Sequence, residues 1–318
     1  MNGFEQSKAI NTTQSVGSSR SLLQWNQRRS DIAWAYLLIL PTILGFLIFI
    51  AGPVIAGLGL AFFRYDIVSA PKFIGLANFE RLAADPRAMV VLQNTVYYTF
   101  GMVIFDLVLA MALAVAINSK IPHMLKRFYQ AIFFFPILVS GAAIAIVWQL
   151  LLASDIGIIN YFLGQIGIEK IPWILASDWV KPSVIMVTVW NGVGFNMILI
   201  LAGLQGIPNY LYEAADIDGA NGFQKFSRIT VPLLSPVIFF IIVKGIIGVL
   251  QLFEAPFVLT EGGPGDASRT VLMYLYESFR QLKIGYASSV GFVLFGIILV
   301  ITIIQFVVSR YWVFYDND

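Results

Sequence analysis

Two short stretches of this chain place amides, a carboxylate and aromatic rings inside long apolar runs. One is Trp190-Asn191-Gly192-Val193-Gly194-Phe195-Asn196; the other holds Gln251, Phe253 and Glu254. Such groups exchange hydrogen bonds and stack on apolar surfaces, which is binding chemistry rather than bond-breaking chemistry. A polar side chain in hydrocarbon is costly and faces a cavity or a partner. Asn191, Gly192, Phe195, Asn196, Gln251, Phe253 and Glu254 are therefore the candidate ligand contacts. The competing reading of Asn196 and Gln251 is that they tie helices together. Asp106 and Lys244 are further charges within apolar runs. They pair with each other or with a partner subunit, or Lys244 reaches the interface along its own stem.

A third stretch offers a different chemistry. Glu213-Ala214-Ala215-Asp216-Ile217-Asp218-Gly219 lies in a polar island of about 25 residues, from Pro208 to Pro232, between two apolar runs. Pro208 suits the first turn of a helix through Tyr210 to Ile217, and Gly219 suits its C-terminal cap. Asn221 with Gln224 resembles a capping box for a second helix, which Pro232 is expected to close. Leu211, Ala214 and Ala215 fall on one face, the small alanines admit another backbone, and Glu213 adds one directional charge. This is the pattern of a docking helix, with no catalytic residues.

Catalysis has few other candidates. The chain has no cysteine and a single histidine, His123, so neither a thiolate nucleophile nor a His or Cys metal cluster is available. No Gly-Lys dipeptide occurs, which removes the usual phosphate-cradling loop and any ATP hydrolysis by this chain. No cofactor or metal site is expected. The cluster Gly262-Gly263-Pro264-Gly265 lacks the following lysine and reads as a tight turn.

The elements that position these groups are membrane helices. Hydrophobic residues make up 58% of the 318 and charged residues 12%, about half the charge of an ordinary soluble domain. The net charge of +2 points to no nucleic-acid partner. Apolar runs near 32–63, 95–117, 128–152, 179–204, 233–257 and 287–308 give six spans. Pro41 and Pro53 imply kinks in the first, or an end that extends past the hydrocarbon. Residues 1–32 form a polar tail, expected to be disordered to about Trp25 and unlike a cleavable signal peptide. A membrane domain over 33–312 and a short tail at 313–318 complete the division. With both termini cytoplasmic, ten Lys/Arg lie inside, nine outside and Lys244 in a span, so the positive-inside rule favours that orientation only weakly.

The spacing around Glu213 resembles the EAA loop of binding-protein-dependent ABC importer permeases. That pattern is Glu-Ala-Ala, three residues, Gly, nine residues, then Ile-x-Leu-Pro; here Gly219, Ile229 and Pro232 match, with Val231 in place of Leu. Other stretches resemble the MalF-like sugar permeases of that family: Phe73 to Phe79, Asn94-Thr95, Gly157 to Asn160 with Trp173, Leu259 to Gly265, and Gly285 to Ser288. The resemblance covers about 33–312 and implies an all-α permease of six transmembrane helices, with a cytoplasmic coupling loop between the fourth and fifth.

It further implies a permease subunit of an ATP-driven importer for a carbohydrate (an oligosaccharide, glycoside or polyol), in the bacterial or archaeal cytoplasmic membrane. Its partners are a second homologous permease, two ATPase subunits using ATP, an extracytoplasmic substrate-binding protein and membrane lipid. Glu213, Ala214, Ala215, Asp218 and Gly219 become the ATPase-coupling residues, and a cytoplasmic ATPase places that loop and both termini inside. The stretches around Asn191 and Gln251 match positions that line the sugar site of such permeases, the second within a residue or two. Three alternatives stay open. One is an ABC permease for glycerol phosphate or another small solute, although the amides favour a neutral substrate. The others are a secondary transporter, which needs an internal repeat and an ion-coupling carboxylate, and a membrane enzyme.

Overall fold

The computed structural model describes residues 17–119 and 121–314; the expectations for the first 16 residues, Lys120 and the last four lie outside the described residues. The first span is a long helix, α1 (Gly17–Phe46), that passes through one wide turn, Leu47–Ala51, into α2 (Gly52–Leu60). The stretch through Leu58 is a compact unit of its own. The apolar part, Trp34–Leu60, has 27 residues, about 40 Å of helix. Helix begins at Gly17, earlier than the expected tail boundary, because nothing between Ser18 and Leu40 breaks one.

The wide turn recurs, each time just ahead of a proline. Leu47–Ala51 precedes Gly52-Pro53, and Phe226–Thr230 precedes Val231-Pro232. Gly52 and Val231 donate five residues back, to Leu47 and Phe226. A proline ring collides with the carbonyl four residues earlier in a regular α-helix. One extra residue in the turn moves that carbonyl away. Pro232 therefore does not close the second short helix, as the sequence suggests. The helix continues through it.

Beyond Leu60 the chain forms a small hairpin, β1 (Phe63–Arg64) antiparallel to β2 (Lys72–Phe73), then α3 (Ala77–Ala83). The second span is α4 (Pro86–Asn118), with Asp85 accepting from the Arg87 N–H as its N-cap. The third is not one rod. α5 (His123–Phe134) and a tight turn, Phe135–Leu138, are followed after a 100° bend at Val139–Ser140 by α6 (Gly141–Leu151). A short α7 (Ile158–Gln165) leads to the fourth span, α8 (Ser177–Gly206). α9 (Asn209–Ile217) and α10 (Gly222–Lys225) make up the polar island.

The fifth span, α11 (Val231–Leu250), ends earlier than expected. Gln251 caps it, and α12 (Glu254–Thr260) starts afresh. Pro256 has no N–H to offer the Leu252 carbonyl, which instead accepts the Thr270 hydroxyl at 2.6 Å. α13 (Val271–Arg280) and the sixth span, α14 (Ile284–Ser309), complete the chain. Among the described residues, five helices are long and apolar enough to cross a membrane alone, and the bent third pair makes six. α4 and α8 pack along each other and α11 lies against both, around the fully buried Tyr98, Val184, Met197, Ile200 and Ile241.

Candidate functional site

At the end of α8 the polar island forms a rigid, doubly capped pair of helices. Gly219 has φ +74°, and the N–H groups of Gly219 and Ala220 return to the carbonyls of Asp216 and Ala215 at 3.1 and 2.9 Å. This is a Schellman closure, and the left-handed conformation it needs suits glycine. Asn221 and Gln224 exchange the two bonds of a capping box at 2.9 and 2.8 Å. Lys225 binds Asp216 at 2.7 Å and ties the two helices together.

The faces of α9 divide differently from the sequence expectation. Leu211, Tyr212 and Ala215 turn toward the body, where the Tyr212 hydroxyl meets Thr230 at 2.9 Å. Tyr210, Glu213, Ala214 and Ile217 form an exposed stripe at i, i+3, i+4 and i+7. Ala214 thus leaves the face it was expected to share with Leu211, while Asp218 and Gly219 stay exposed beside it. Phe223 adds a second exposed ring, at 78%, and Ile217 is 87% exposed.

The candidate ligand residues fall into three groups. Asn191 and Glu254 converge on the break in the third span. The Asn191 amide donates to the Pro136 carbonyl at 3.3 Å. The Glu254 carboxylate rests on the first residue of α6, where a Cβ added to Gly141 would lie 2.5 Å from it. That contact is with the positive end of a helix, which favours a carboxylate. Asn196 and Phe195 belong to a second group, with Asp106 and Lys244. Buried Asn196 donates to the Asp106 carboxylate across α8 and α4, and the Lys244 ammonium stands 4.0 Å over the Phe195 ring. Lys244 and Asp106 form no ion pair with each other.

The third group is Phe253, stacked on Phe257 at 4.8 Å with the Tyr276 edge against both rings. Gln251 is exposed nearby, and Gly192 faces open space. Gly194 allows a close helix crossing. A Cβ there would sit 1.8 Å from the Phe133 carbonyl, so α5 crosses α8 in near backbone contact. Sequence reading does not point to Phe257, Tyr276 or the bend at Val139–Ser140. Pro136 followed by Ser140-Gly141 is the only local sign of that bend.

The remaining family-like stretches fasten the opposite end of the molecule, and they do so in pairs. Asn78 donates to the carbonyls of Ala61 and Phe63 at 2.8 and 2.9 Å, and Gly285 lies against the Phe63 carbonyl, where a Cβ would come within 1.9 Å. Asn94 donates to the carbonyls of Asp266 and Arg269 at 2.8 and 3.0 Å, while Thr95 accepts from the Val271 N–H at 3.0 Å. Asn160 accepts from the Trp173 indole at 3.0 Å and from the Ile171 N–H.

A charged lattice closes this end. Arg87 bridges Asp266 and Glu277, and Arg269 binds both as well. The hydrogen bond from Arg87, reinforced by Arg269, holds the Asp266 carboxyl below the ordinary carboxylate range despite its partial burial. For Asp85, burial pushes upward, but bonds from Tyr274, the Arg87 N–H and Tyr286 prevail and leave it lowered.

Six spans counting the bent third pair, with a capped, exposed helix pair between the fourth and fifth, make a multi-pass membrane protein of the permease type. Residues 106–312 match the family described as binding-protein-dependent transport system inner membrane component, and the chain belongs to that family. The resemblance read from the sequence is thereby borne out. The chain is a multi-pass inner-membrane component of a transport system rather than an enzyme in itself.

Relatives align over most of their length. It is 37% identical over 295 residues to the probable ABC transporter permease protein YesP of Bacillus subtilis, covering 91% of this chain and 94% of that one. It is 36% identical to the arabinooligosaccharides transport system permease protein AraP of Halalkalibacterium halodurans, with coverage of 91% and 94%. To the trehalose/maltose transport system permease protein MalF of Thermococcus litoralis it is 31% identical, with coverage of 87% and 93%. Among solved structures, a bacterial ABC transporter importing the acidic polysaccharide alginate has a chain that superimposes with a TM-score of 0.81 at 27% identity, covering 91% of this chain and 98% of that one.

Proposed function

We propose that this chain is one transmembrane half of an ATP-driven importer for a carbohydrate, joined to a second homologous permease, two ATPase subunits and an extracytoplasmic binding protein. The observation that carries the reading is the exposed stripe of Tyr210, Glu213, Ala214 and Ile217 on a helix closed by a Schellman turn and tied by Lys225 to the capped helix that follows. An isolated loop has no need of such rigidity, whereas a lever that transmits motion from an ATPase does. Glu213 pairs with a basic group of the ATPase, Ala214 allows close approach, Ala215 packs toward the body instead, and Asp218-Gly219 makes the turn. This puts the loop and both termini in the cytoplasm. Alternating access follows when ATPase closure moves the lever and the bent spans reorient.

Carbohydrate as cargo is supported by relatives named for arabinooligosaccharide and trehalose/maltose transport and by the alginate importer neighbour. The neighbour solved with an alginate pentasaccharide-bound periplasmic protein supports delivery by a binding protein. Asn191, Gly192, Phe195, Gln251, Phe253 and Glu254 line the route, with Asn196 bonded to Asp106. The test is an omission experiment in vesicles containing all subunits. Labelled sugar should accumulate only with ATP, ATPase and binding protein together. Uptake by the permeases alone, driven by an ion gradient, would replace this reading with secondary transport.

A further inference from the structure

Above the end of the fifth span lies a surface groove. Unlike the apolar crevices between the spans, it is walled by both rings and charges. Phe257 and Tyr276 line it, in ring contact at 5.7 Å. Glu261, Arg269, Arg280 and Gln281 line it with them. Phe257 continues the stack that begins at Phe253, so the groove opens directly onto the proposed route.

Two of its polar side chains, Arg269 and Gln281, are held in place. Arg269 is held by Asp266 and Glu277 and donates to the Glu261 carbonyl at 3.2 Å, and Gln281 donates to Glu277 at 3.2 Å. Arg280 stacks over Tyr276 at 5.9 Å and makes no ion pair among the described residues. The Glu261 carboxylate likewise has no ion-pair partner among the described residues. An exposed aromatic face beside preset donors and acceptors suits a sugar ring, whose C–H face stacks while its hydroxyls bond at the rim.

We propose that this groove is a carbohydrate subsite, the first contact of the permease with a sugar unit on its way to the span residues. Tyr276 supplies the stacking face, Glu261 accepts from hydroxyls, and Arg280 and Gln281 donate to them. The inference rests on the carbohydrate reading above and adds the place where the sugar first touches this chain.

The complete importer in vesicles tests it, with an arabino-oligosaccharide, trehalose, maltose and an alginate oligosaccharide as probes. The substrate that wild type takes up fastest is then used for Tyr276→Ala, Tyr276→Phe and Arg280→Gln, each normalised to permease in the membrane. Uptake at saturating loaded binding protein should fall about fivefold or more in Tyr276→Ala and Arg280→Gln. Tyr276→Phe, which keeps the ring, should stay near wild type. The binding-protein concentration giving half-maximal ATP hydrolysis should not move. A shift in that concentration would mean that the groove docks the binding protein and would overturn the proposal. Wild-type uptake in both Tyr276→Ala and Arg280→Gln would overturn it too, while leaving carbohydrate import intact. Failure of wild type to import any probe would overturn the carbohydrate reading itself, and this subsite with it.

Discussion

Asn191 and Gln251 are amides on different spans, one bonded to a backbone carbonyl and one exposed at a helix end. Replacing either by leucine removes a hydrogen-bond partner worth about 0.5–1.5 kcal/mol. Transport should therefore fall about two- to tenfold, with normal amounts of permease in the membrane. Unchanged uptake kinetics in both would make these amides structural. At the other end, Asp266 titrates below the ordinary carboxylate range because of Arg87. Since its folded value lies below its unfolded one, its contribution is complete above about pH 4 and is lost as pH falls through the folded value. The melting temperature should hold down to about pH 4 and drop below it. Asp266→Asn should melt lower at neutral pH with a shallower acid fall; an identical acid profile would remove Asp266 from this account.

At the scale of elements, helix boundaries were legible where local chemistry decides them. Gly219 and the Asn221–Gln224 pair cap as their residue types require, because caps are made of neighbours in sequence. What was not legible depended on distant partners. Pro232 reads as a stop, yet the wide turn at Phe226–Thr230 carries the helix past it. The fifth span reads through to Phe257, but Pro256 and the hydroxyl of Thr270, 18 residues from Leu252, end it at Leu250. The bend in the third span was equally hidden, and with it the reason Asn191 and Glu254 converge. Gly194 marks a contact that no pattern announced. Gly194→Ala puts a methyl 1.8 Å from the Phe133 carbonyl and should force α5 and α8 apart, at a cost of about 1–3 kcal/mol. A lower melting temperature of the purified protein should report it; an unchanged one would mean that the crossing is loose.

At the scale of the whole molecule, the spans set a topology that a chain without cysteine makes easy to read. Ser119 follows the second span and Glu169 lies between the third and fourth, and both are exposed. Introduced singly as cysteines, Glu169→Cys should react with an impermeant thiol reagent applied to intact cells, and Ser119→Cys only after lysis. The reverse pattern would invert the orientation and put the α9–α10 pair on the wrong side for an ATPase. The family was legible through the resemblance of the Glu213–Pro232 stretch to the EAA loop, whereas the paired roles of Asn94 with the 266–271 backbone and Asn160 with Trp173 needed the fold. The central claim is that the capped pair transmits ATPase motion to the spans, and Glu213→Lys tests it most directly. It reverses one exposed charge and leaves every cap in place. In vesicles reconstituted with all subunits, this variant should insert normally yet lose ATPase co-purification or binding-protein-stimulated ATP hydrolysis, and with either loss its sugar uptake. Wild-type hydrolysis and uptake in the Glu213→Lys importer would contradict the account.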